Sequence, residues 1–593
     1  MLRILKMLKW KEWMYALFSV GFIVLQIWLD LTLPDYTAKI TQLAVSGMTQ
    51  GGEIWKNGAL MLGCALGSAL SSVIVGFFAA RIAAALSFRI RSRVFDKVES
   101  FSMAEINGFS TASLITRSTN DVQQVQMIVS MGLQVIIKAP VLAVWAICKI
   151  LSRNWQWSLT TAVAVFVMVT MLMFLFVAVF PKFRKIQKLT DNLNAVTREN
   201  LTGVRVVRAY NAEGYQEQKF EKANDDLTRT HLFTARAMAV MSPVMTIVMT
   251  GLTLAIYWIG AYLINDELLG AAERSQLFGQ MAAFSGYAMQ VVMAFMMLAM
   301  IFIILPRAMV SVRRIGEVLD TQPSIVDGTL EASPAGQEGV VEFKNVSFRY
   351  PDASEYVIRD LSFRAERGQT VAFIGSTGSG KSTAINLVPR FYDATEGEVL
   401  VDGVNVKDYT LQALHDKIGY VPQRAVLFSG TVESNVAYGD KQGADFSEEG
   451  IGRALRIAQA EFAQKMEGGL QAHIAQGGTN VSGGQKQRLA IARAVCRKPE
   501  IYIFDDCFSA LDYKTDKLLR EALRRETGNT TSLIVAQRIG TIRDADLIVV
   551  LDEGNVVGKG THDELMRSCE VYREIAYSQL SKEELEGKEG ANG

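Results

Sequence analysis

A chain of 593 residues exceeds what one hydrophobic core ordinarily organises, so two or more domains are expected. Its 61 Lys plus Arg against 60 Asp plus Glu leave a formal net charge of +1, and without a long basic run there is no electrostatic footprint for nucleic acid, which excludes that class of partner. The five cysteines (Cys64, Cys148, Cys496, Cys507, Cys569) are odd in number, scattered and without metal-ligand spacing, which argues against a disulfide framework and a zinc site.

In chain order, residues 1–12 mix basic and apolar side chains and predict an interfacial helix. The apolar run that follows is too long for a signal peptide and lacks a small-residue cleavage site, so it reads as a retained span. Residues 13–315 predict an all-α membrane domain. A bilayer core about 30 Å thick requires about 20 apolar residues per helix, and segments near 13–33, 56–80, 127–151, 157–180, 238–264 and 277–305 meet that requirement. Links after the first, third and fifth spans are short and poor in Lys and Arg, whereas those after the second and fourth are long and charged. The positive-inside rule therefore puts both termini, and the second half of the chain, on the cytoplasmic side of the membrane.

The long links, 81–126 and 181–237, keep a helical pattern and predict stalks that continue the spans beyond the bilayer. Two interruptions, 101–111 with Gly108 and 212–220 with Gly214, predict a turn and a short helix at each tip. Asp30, late in the first span, and Lys138, within the third, are ionisable groups at membrane depth, where charge is costly. They read either as substrate or ion contacts or as groups at a lipid interface or watery cavity. Met241, Met245, Met249, Met289, Met293, Met296, Met297 and Met300 crowd the last two spans; flexible thioethers suit a surface for varied apolar ligands and also serve as plain helix filler.

Residues 316–339, carrying Pro323 and Pro334, predict a linker, and 340–580 have the Gly, charge and short-strand texture of an α/β domain. The sequence VVEFKNVSFRY has the alternation of a strand ending at Tyr350. Next, the strand Thr370 to Ile374 runs into Gly375, Ser376, Thr377, Gly378, Ser379, Gly380, Lys381, Ser382 and Thr383, and then a helix, which is a complete P-loop. Glycines let the backbone wrap phosphate, amides and the helix N-terminus face it, Lys381 neutralises β and γ oxygens, and Ser382 ligates Mg²⁺, so ATP and Mg²⁺ are the expected cofactors. In IYIFDD an apolar strand delivers Asp505 to its C-terminal end, ready to complete the Mg²⁺ shell. Between these lies VSGGQKQRLAIARAV, where Ser482 is placed as an N-cap, Gly483 and Gly484 permit close approach, and a helix runs from Gln485. Two anion sites exceed what one nucleotide needs, so the second is expected to close over ATP held by another subunit. Residues 581–593 read as a polar tail.

Together, the P-loop, Ser482 to Gln485, the strand ending at Asp505 and the sequence Ser509-Ala510-Leu511-Asp512 resemble the ABC ATPases, and six spans ahead of one such domain resemble a half-transporter of the exporter type, including multidrug exporters. The resemblance implies that Tyr350 stacks on adenine and that Gln423, in GYVPQ, senses Mg²⁺ and the γ-phosphate. It also implies that the hairpin tips act as coupling helices docking near Gln423 and the 428–438 segment. In this family the residue after the strand aspartate is usually Glu, which polarises the attacking water; here it is Asp506, one methylene shorter. The switch histidine is replaced by Gln537, which cannot become cationic. Val481 stands for the commonest preceding Leu, and Gln476 for an acidic residue that contacts the hairpins. These departures resemble the degenerate-site chain of bacterial heterodimeric exporters. The implied partners are a second half-transporter with Glu and His at the matching positions, the lipid bilayer and a small hydrophobic substrate. A homodimeric lipid or peptide exporter, or an ATP-gated regulatory subunit without pumping, remain the alternatives.

Overall fold

A computed structural model of the protein describes residues 6–45, 51–151, 155–265, 270–334, 336–439 and 443–579. The expected polar tail at 581–593, and residues 1–5 of the expected interfacial helix, lie outside the described residues. The chain divides into two compact units, Met1–Glu99 with Ala112–Thr321, and Ser100–Thr111 with Gln322–Gly593.

The first unit is entirely helical. Its helices are α1 (Trp10–Val45), α2 (Gly51–Glu99), α4 (Thr111–Leu151), α5 (Trp155–Thr202), α6 (Val204–Ala209), α7 (Glu213–Ile264) and α8 (Ala271–Asp320); the short α3 (Met103–Phe109) belongs to the second unit. Among the described residues six helices are long and apolar enough to cross a membrane, as the sequence predicts. Residues 10–12 already belong to α1, and α8 continues through residue 315 to Asp320. Small residues bring α1 and α8 together: a Cβ on Gly286 would lie 2.9 Å from Pro34 Cγ, so only glycine permits this approach. Trp157, fully buried, donates its indole N–H to Ile256 O at 3.2 Å and lies against Phe284, tying α5, α7 and α8.

Asp30 and Lys138 find each other. Lys138 Nζ is 3.3 Å from Asp30 Oδ2, and Ser68 Oγ donates to Asp30 Oδ1, so the charge that lipid would penalise is paired across α1, α2 and α4. A second ion pair, Lys149 to Asp35 at 3.1 Å, joins α1 and α4 again. The methionines divide: Met245 is buried among the helices, whereas Met289, Met293 and Met300 are exposed.

The two expected hairpin tips differ. Within 101–111 the short helix forms as expected, α3, with Ser102 and Glu105 closing a capping box. Near 212–220 the expectation fails: the short helix is α6, upstream, the turn falls at 210–212, and Gly214 lies inside the first turn of α7. Asn211, at φ 50°, supplies the left-handed residue, a conformation Asn adopts more readily than most side chains.

The second unit is α/β. Its strands are β1 (Val341–Phe348), β2 (Ile358–Ala365), β3 (Thr370–Gly375), β4 (Glu396–Val401), β5 (Val404–Asn405), β6 (Ile418–Val421), β7 (Gly430–Thr431), β8 (His473–Ile474), β9 (Ile501–Asp505), β10 (Thr531–Val535), β11 (Leu547–Asp552) and β12 (Asn555–Gly560). An antiparallel sheet has the order β2-β1-β4-β5, and a larger sheet the order β12-β11-β3-β10-β9-β6. In the larger sheet β11, β3, β10, β9 and β6 run parallel, with β12 antiparallel at one edge. The strands read as apolar runs because both faces are covered; all five residues of β9 are buried. Parallel strands deliver their C-terminal ends to one edge of the sheet, where such folds present ligands. The P-loop follows β3, Gln423 follows β6, Asp506 follows β9 and Gln537 follows β10.

Candidate nucleotide site

The P-loop leaves β3 at Gly375 and enters the helix α9 (Lys381–Asn386) through Gly380, at φ 95°. A side chain at Gly380 would be strained by that backbone and would press on Val357 O, 2.7 Å from the position of a Cβ. The Lys381 ammonium is curled into the loop, donating to Ser376 O at 2.7 Å and Gly375 O at 3.0 Å, with Ser379 Oγ at 3.3 Å. Burial lowers its pKa, while the charges of Asp506 and Asp505 pull the other way. Ser376 Oγ donates to Asp552 Oδ1, at the end of β11, at 3.3 Å; Thr377 and Gly378 form the exposed crest of the loop.

Beside the loop, Ser382 Oγ donates to Asp505 Oδ1 at 2.6 Å. Burial raises the Asp505 pKa and Asp506 adds to the rise, against the Ser382 hydrogen bond and the Lys381 charge. This carboxylate is thus only partly compensated by the protein, and one carboxylate with one hydroxyl is the kind of oxygen donor set Mg²⁺ takes when phosphate and water complete its shell. Among the described residues no cluster of three or more His, Cys, Asp or Glu makes a self-sufficient metal site. The residues present therefore fit a Mg²⁺-bound triphosphate.

Asp506 stands just past β9 in the left-handed region, at φ 46°, its N–H donating to Val535 O at 3.0 Å. Its Oδ2 accepts two side-chain amides, Gln537 Nε2 at 2.8 Å and Gln423 Nε2 at 3.1 Å. The fold thus joins three residues that the sequence separates by 83 and 31 positions, and a single carboxylate oxygen takes both amides. Gln537 is itself held through its backbone carbonyl, which accepts from Gln579 Nε2 at 2.7 Å, a contact no sequence signal announces.

Tyr350, just past β1, is half-buried: its hydroxyl lies 3.0 Å from Thr383 Oγ1, and its ring meets Phe348 and Tyr392 edge-on at 5.0 and 5.2 Å. Tyr392 carries no motif and escapes sequence reasoning.

Ser482 caps the helix α10 (Gly483–Cys496). Gln485 N–H donates to Ser482 Oγ at 3.3 Å, and Gln485 Oε1 accepts the Ser482 N–H at 2.9 Å. Ser482 and Gly483 are exposed, and among the described residues no hydrogen bond joins 482–485 to the P-loop. Gln476, in the turn before them, is exposed as well.

Residues 16–295 match the family described as ABC transporter transmembrane region, and residues 358–509 match the family described as ABC transporter. An uncharacterized ABC transporter ATP-binding protein of Mycobacterium tuberculosis is 39% identical over 555 residues, 93% of each chain. An ATP-dependent lipid A-core flippase of Pseudomonas fluorescens is 32% identical over 507 residues, 85% of this chain and 82% of the relative. In fold, the chain is similar to a bacterial Atm1-family ABC exporter with ATP bound, with a TM-score of 0.78 at 23% identity, covering 96% of this chain and 98% of that one. ABC exporters act as dimers in a bilayer, and their ATPase domains bind ATP with Mg²⁺. A membrane unit with six candidate spans and an ABC ATPase unit in one polypeptide, matched along nearly its whole length by such relatives, place this chain in the ABC transporter family as an ATP-dependent half-transporter.

Proposed function

We propose that this chain is the slow half of a heterodimeric ABC exporter. It holds ATP at its own P-loop, hydrolyses it poorly, and lends Ser482, Gly483, Gly484 and Gln485 to a faster site on its partner. The observation that carries this reading is the bonding of Asp506: the carboxylate that would polarise the attacking water is short, and its Oδ2 is engaged by the amides of Gln423 and Gln537. A general base must reach its proton at hydrogen-bond distance, and Gln537 supplies neither the charge nor the proton relay of an imidazole.

In this reading, the base of ATP packs on Tyr350 and Lys381 turns from its loop carbonyls to the β and γ oxygens. Ser382 and Asp505 hold Mg²⁺, with Gln423 beside them; bound there, Mg²⁺ neutralises phosphate charge. Exposure of the Ser482 helix start suits a role toward another subunit's nucleotide. ATP closes the two ABC units head to tail, closure swings the membrane bundle from inward to outward facing, and hydrolysis at the partner's site resets it. Both termini and the ABC unit lie in the cytoplasm.

For the cargo, the reading is an amphipathic or hydrophobic drug-like compound. The flippases among the relatives favour, as a second reading, a lipid amphiphile, in a homodimer or a heterodimer. The test is to purify the native assembly and determine its subunits, then measure ATP hydrolysis by this chain alone and by the pair. Weak hydrolysis alone and strong hydrolysis by the pair is the expected outcome; vigorous turnover by a verified homodimer refutes the proposal. Sealed vesicles loaded with candidate amphiphiles test pumping, since a nucleotide-gated subunit without transport gives no ATP-dependent accumulation.

A further inference from the structure

The hairpin tip α3 is fastened to the ABC unit by polar contacts at its start. Glu105 Oε1 accepts the Ser324 N–H at 3.2 Å, and the hydroxyls of Ser102 and Ser324 are 2.9 Å apart. One turn further on, Asn107 Nδ2 donates to Tyr392 Oη at 3.0 Å. The Tyr392 ring meets Tyr350 at 5.2 Å with the planes at 90°, and lies 5.6 Å from Phe348. Tyr350 in turn reaches Thr383 of the P-loop through its hydroxyl. An unbroken line of contacts, Thr383 to Tyr350 to Tyr392 to Asn107, therefore joins the nucleotide site to a helix that interrupts the membrane unit between α2 and α4.

We propose that Tyr392 is a positioning residue that ties occupation of Tyr350 by a nucleotide base to the placement of α3. The inference rests on the reading of Tyr350 as the base contact. A base that stacks on the Tyr350 ring competes with the arrangement in which its hydroxyl is bound to Thr383 and its ring is edge-on to Tyr392. Aromatic pairs are directional, so when Tyr350 turns, Tyr392 loses or shifts its partner. The hydrogen bond from Asn107 then carries that shift into α3, since Asn107 is itself a residue of that helix. Of this line only Thr383 belongs to the P-loop; phosphate contacts alone leave Tyr350, Tyr392 and Asn107 in place, so the part that reaches α3 responds to the base and not to the triphosphate. Coupling of this kind requires two arrangements of the same contacts that both ends bias.

The test measures hydrogen exchange of the peptide spanning 103–109 in the full-length protein, in the assembly it forms, reconstituted in lipid nanodiscs. Two probes are compared: Mg-ATP, and Mg-tripolyphosphate, which has the phosphates and no base. ATP is expected to shift the exchange of this peptide and tripolyphosphate to leave it unchanged. Tyr392→Phe, which keeps the ring and removes the oxygen, and Asn107→Ala are each expected to abolish the ATP shift, and the double variant to add nothing. An equal shift with tripolyphosphate, no ATP shift in the wild type, or a shift that survives in Tyr392→Phe overturns the proposal. Tyr350→Ala separates the two readings. If it leaves the ratio of ATP to tripolyphosphate affinity unchanged, the base-contact reading fails and this inference with it. If the ratio falls while Tyr392→Phe still responds, only this inference is overturned.

Discussion

If this chain's own site is slow as proposed, replacing Asp506 by Glu and Gln537 by His in the same chain is expected to convert it into a working one. Glu advances the carboxylate by one C–C bond, about 1.5 Å, and a displacement of about 1 Å in a reacting group changes rates by about 10²-fold. That factor corresponds to about 2.7 kcal/mol of barrier. The structure adds a second contribution. In the wild type, any advance of the Asp506 carboxylate breaks hydrogen bonds to Gln537 at 2.8 Å and Gln423 at 3.1 Å, each contributing about 1 kcal/mol net. Gln537→His removes one of these restraints and restores an imidazole at the γ-phosphate. The assay is single-turnover phosphate release by the full-length chain in lipid without the proposed partner, where the Ser482 helix start of a second copy of this chain completes the site. We expect about a hundredfold gain for the double variant and smaller gains for each single one. If ATP binds normally and the double variant is no faster than the wild type, the assignment of Asp506 and Gln537 as the rate-limiting defects is wrong.

Ser382→Ala and Asp505→Asn each dismantle the oxygen pair 2.6 Å apart, so both should remove the Mg²⁺ dependence of nucleotide affinity, read by equilibrium binding with and without the metal. Gly484→Asp puts a carboxylate at the exposed helix start, where a Cβ already comes within 3.3 Å of Ala510 O. The ATPase of the assembled pair should fall by about 10²-fold or more, with ATP binding at this chain's own P-loop unchanged. In the membrane unit, Lys138→Met leaves Asp30 without its cation and should destabilise the chain by about 2.5–3.5 kcal/mol; adding Asp30→Asn should recover most of that in thermal unfolding in nanodiscs. Lys417 Nζ lies 2.9 Å from Asp402, whose side chain is fully buried, so Lys417→Met should cost about 3–5 kcal/mol of ABC-unit stability, again largely recovered by Asp402→Asn.

Much of this protein is legible in its sequence because the physics involved is local. Spans of apolar residues have nowhere to go but lipid, and the six expected helices are present. The P-loop and the Ser482 cap are local as well: glycine placement, a strand before and a helix after decide their geometry within a dozen residues. The second hairpin tip lies upstream of where the sequence predicts it: Gly214 is a good turn residue by propensity, yet Asn211 takes the left-handed position and lets Gly214 join α7.

What no stretch of sequence contains is the meeting of distant side chains. That Asp506 differs from Glu is visible in the string; that its Oδ2 is taken by Gln423 and Gln537 follows only from the parallel order β3-β10-β9-β6, which brings three loop starts to one sheet edge. Asp30 and Lys138 likewise stand out singly as costly charges, and helix packing turns them into a pair. Tyr392 has no motif at all and acquires its place from Tyr350 on one side and Asn107 on the other. Sequence alone determined which chemistry this chain carries, because backbone conformation and burial respond to near neighbours. Tertiary structure decided which of those groups act on each other, because hydrogen bonds and ion pairs depend on distance in space, which the order of residues does not encode.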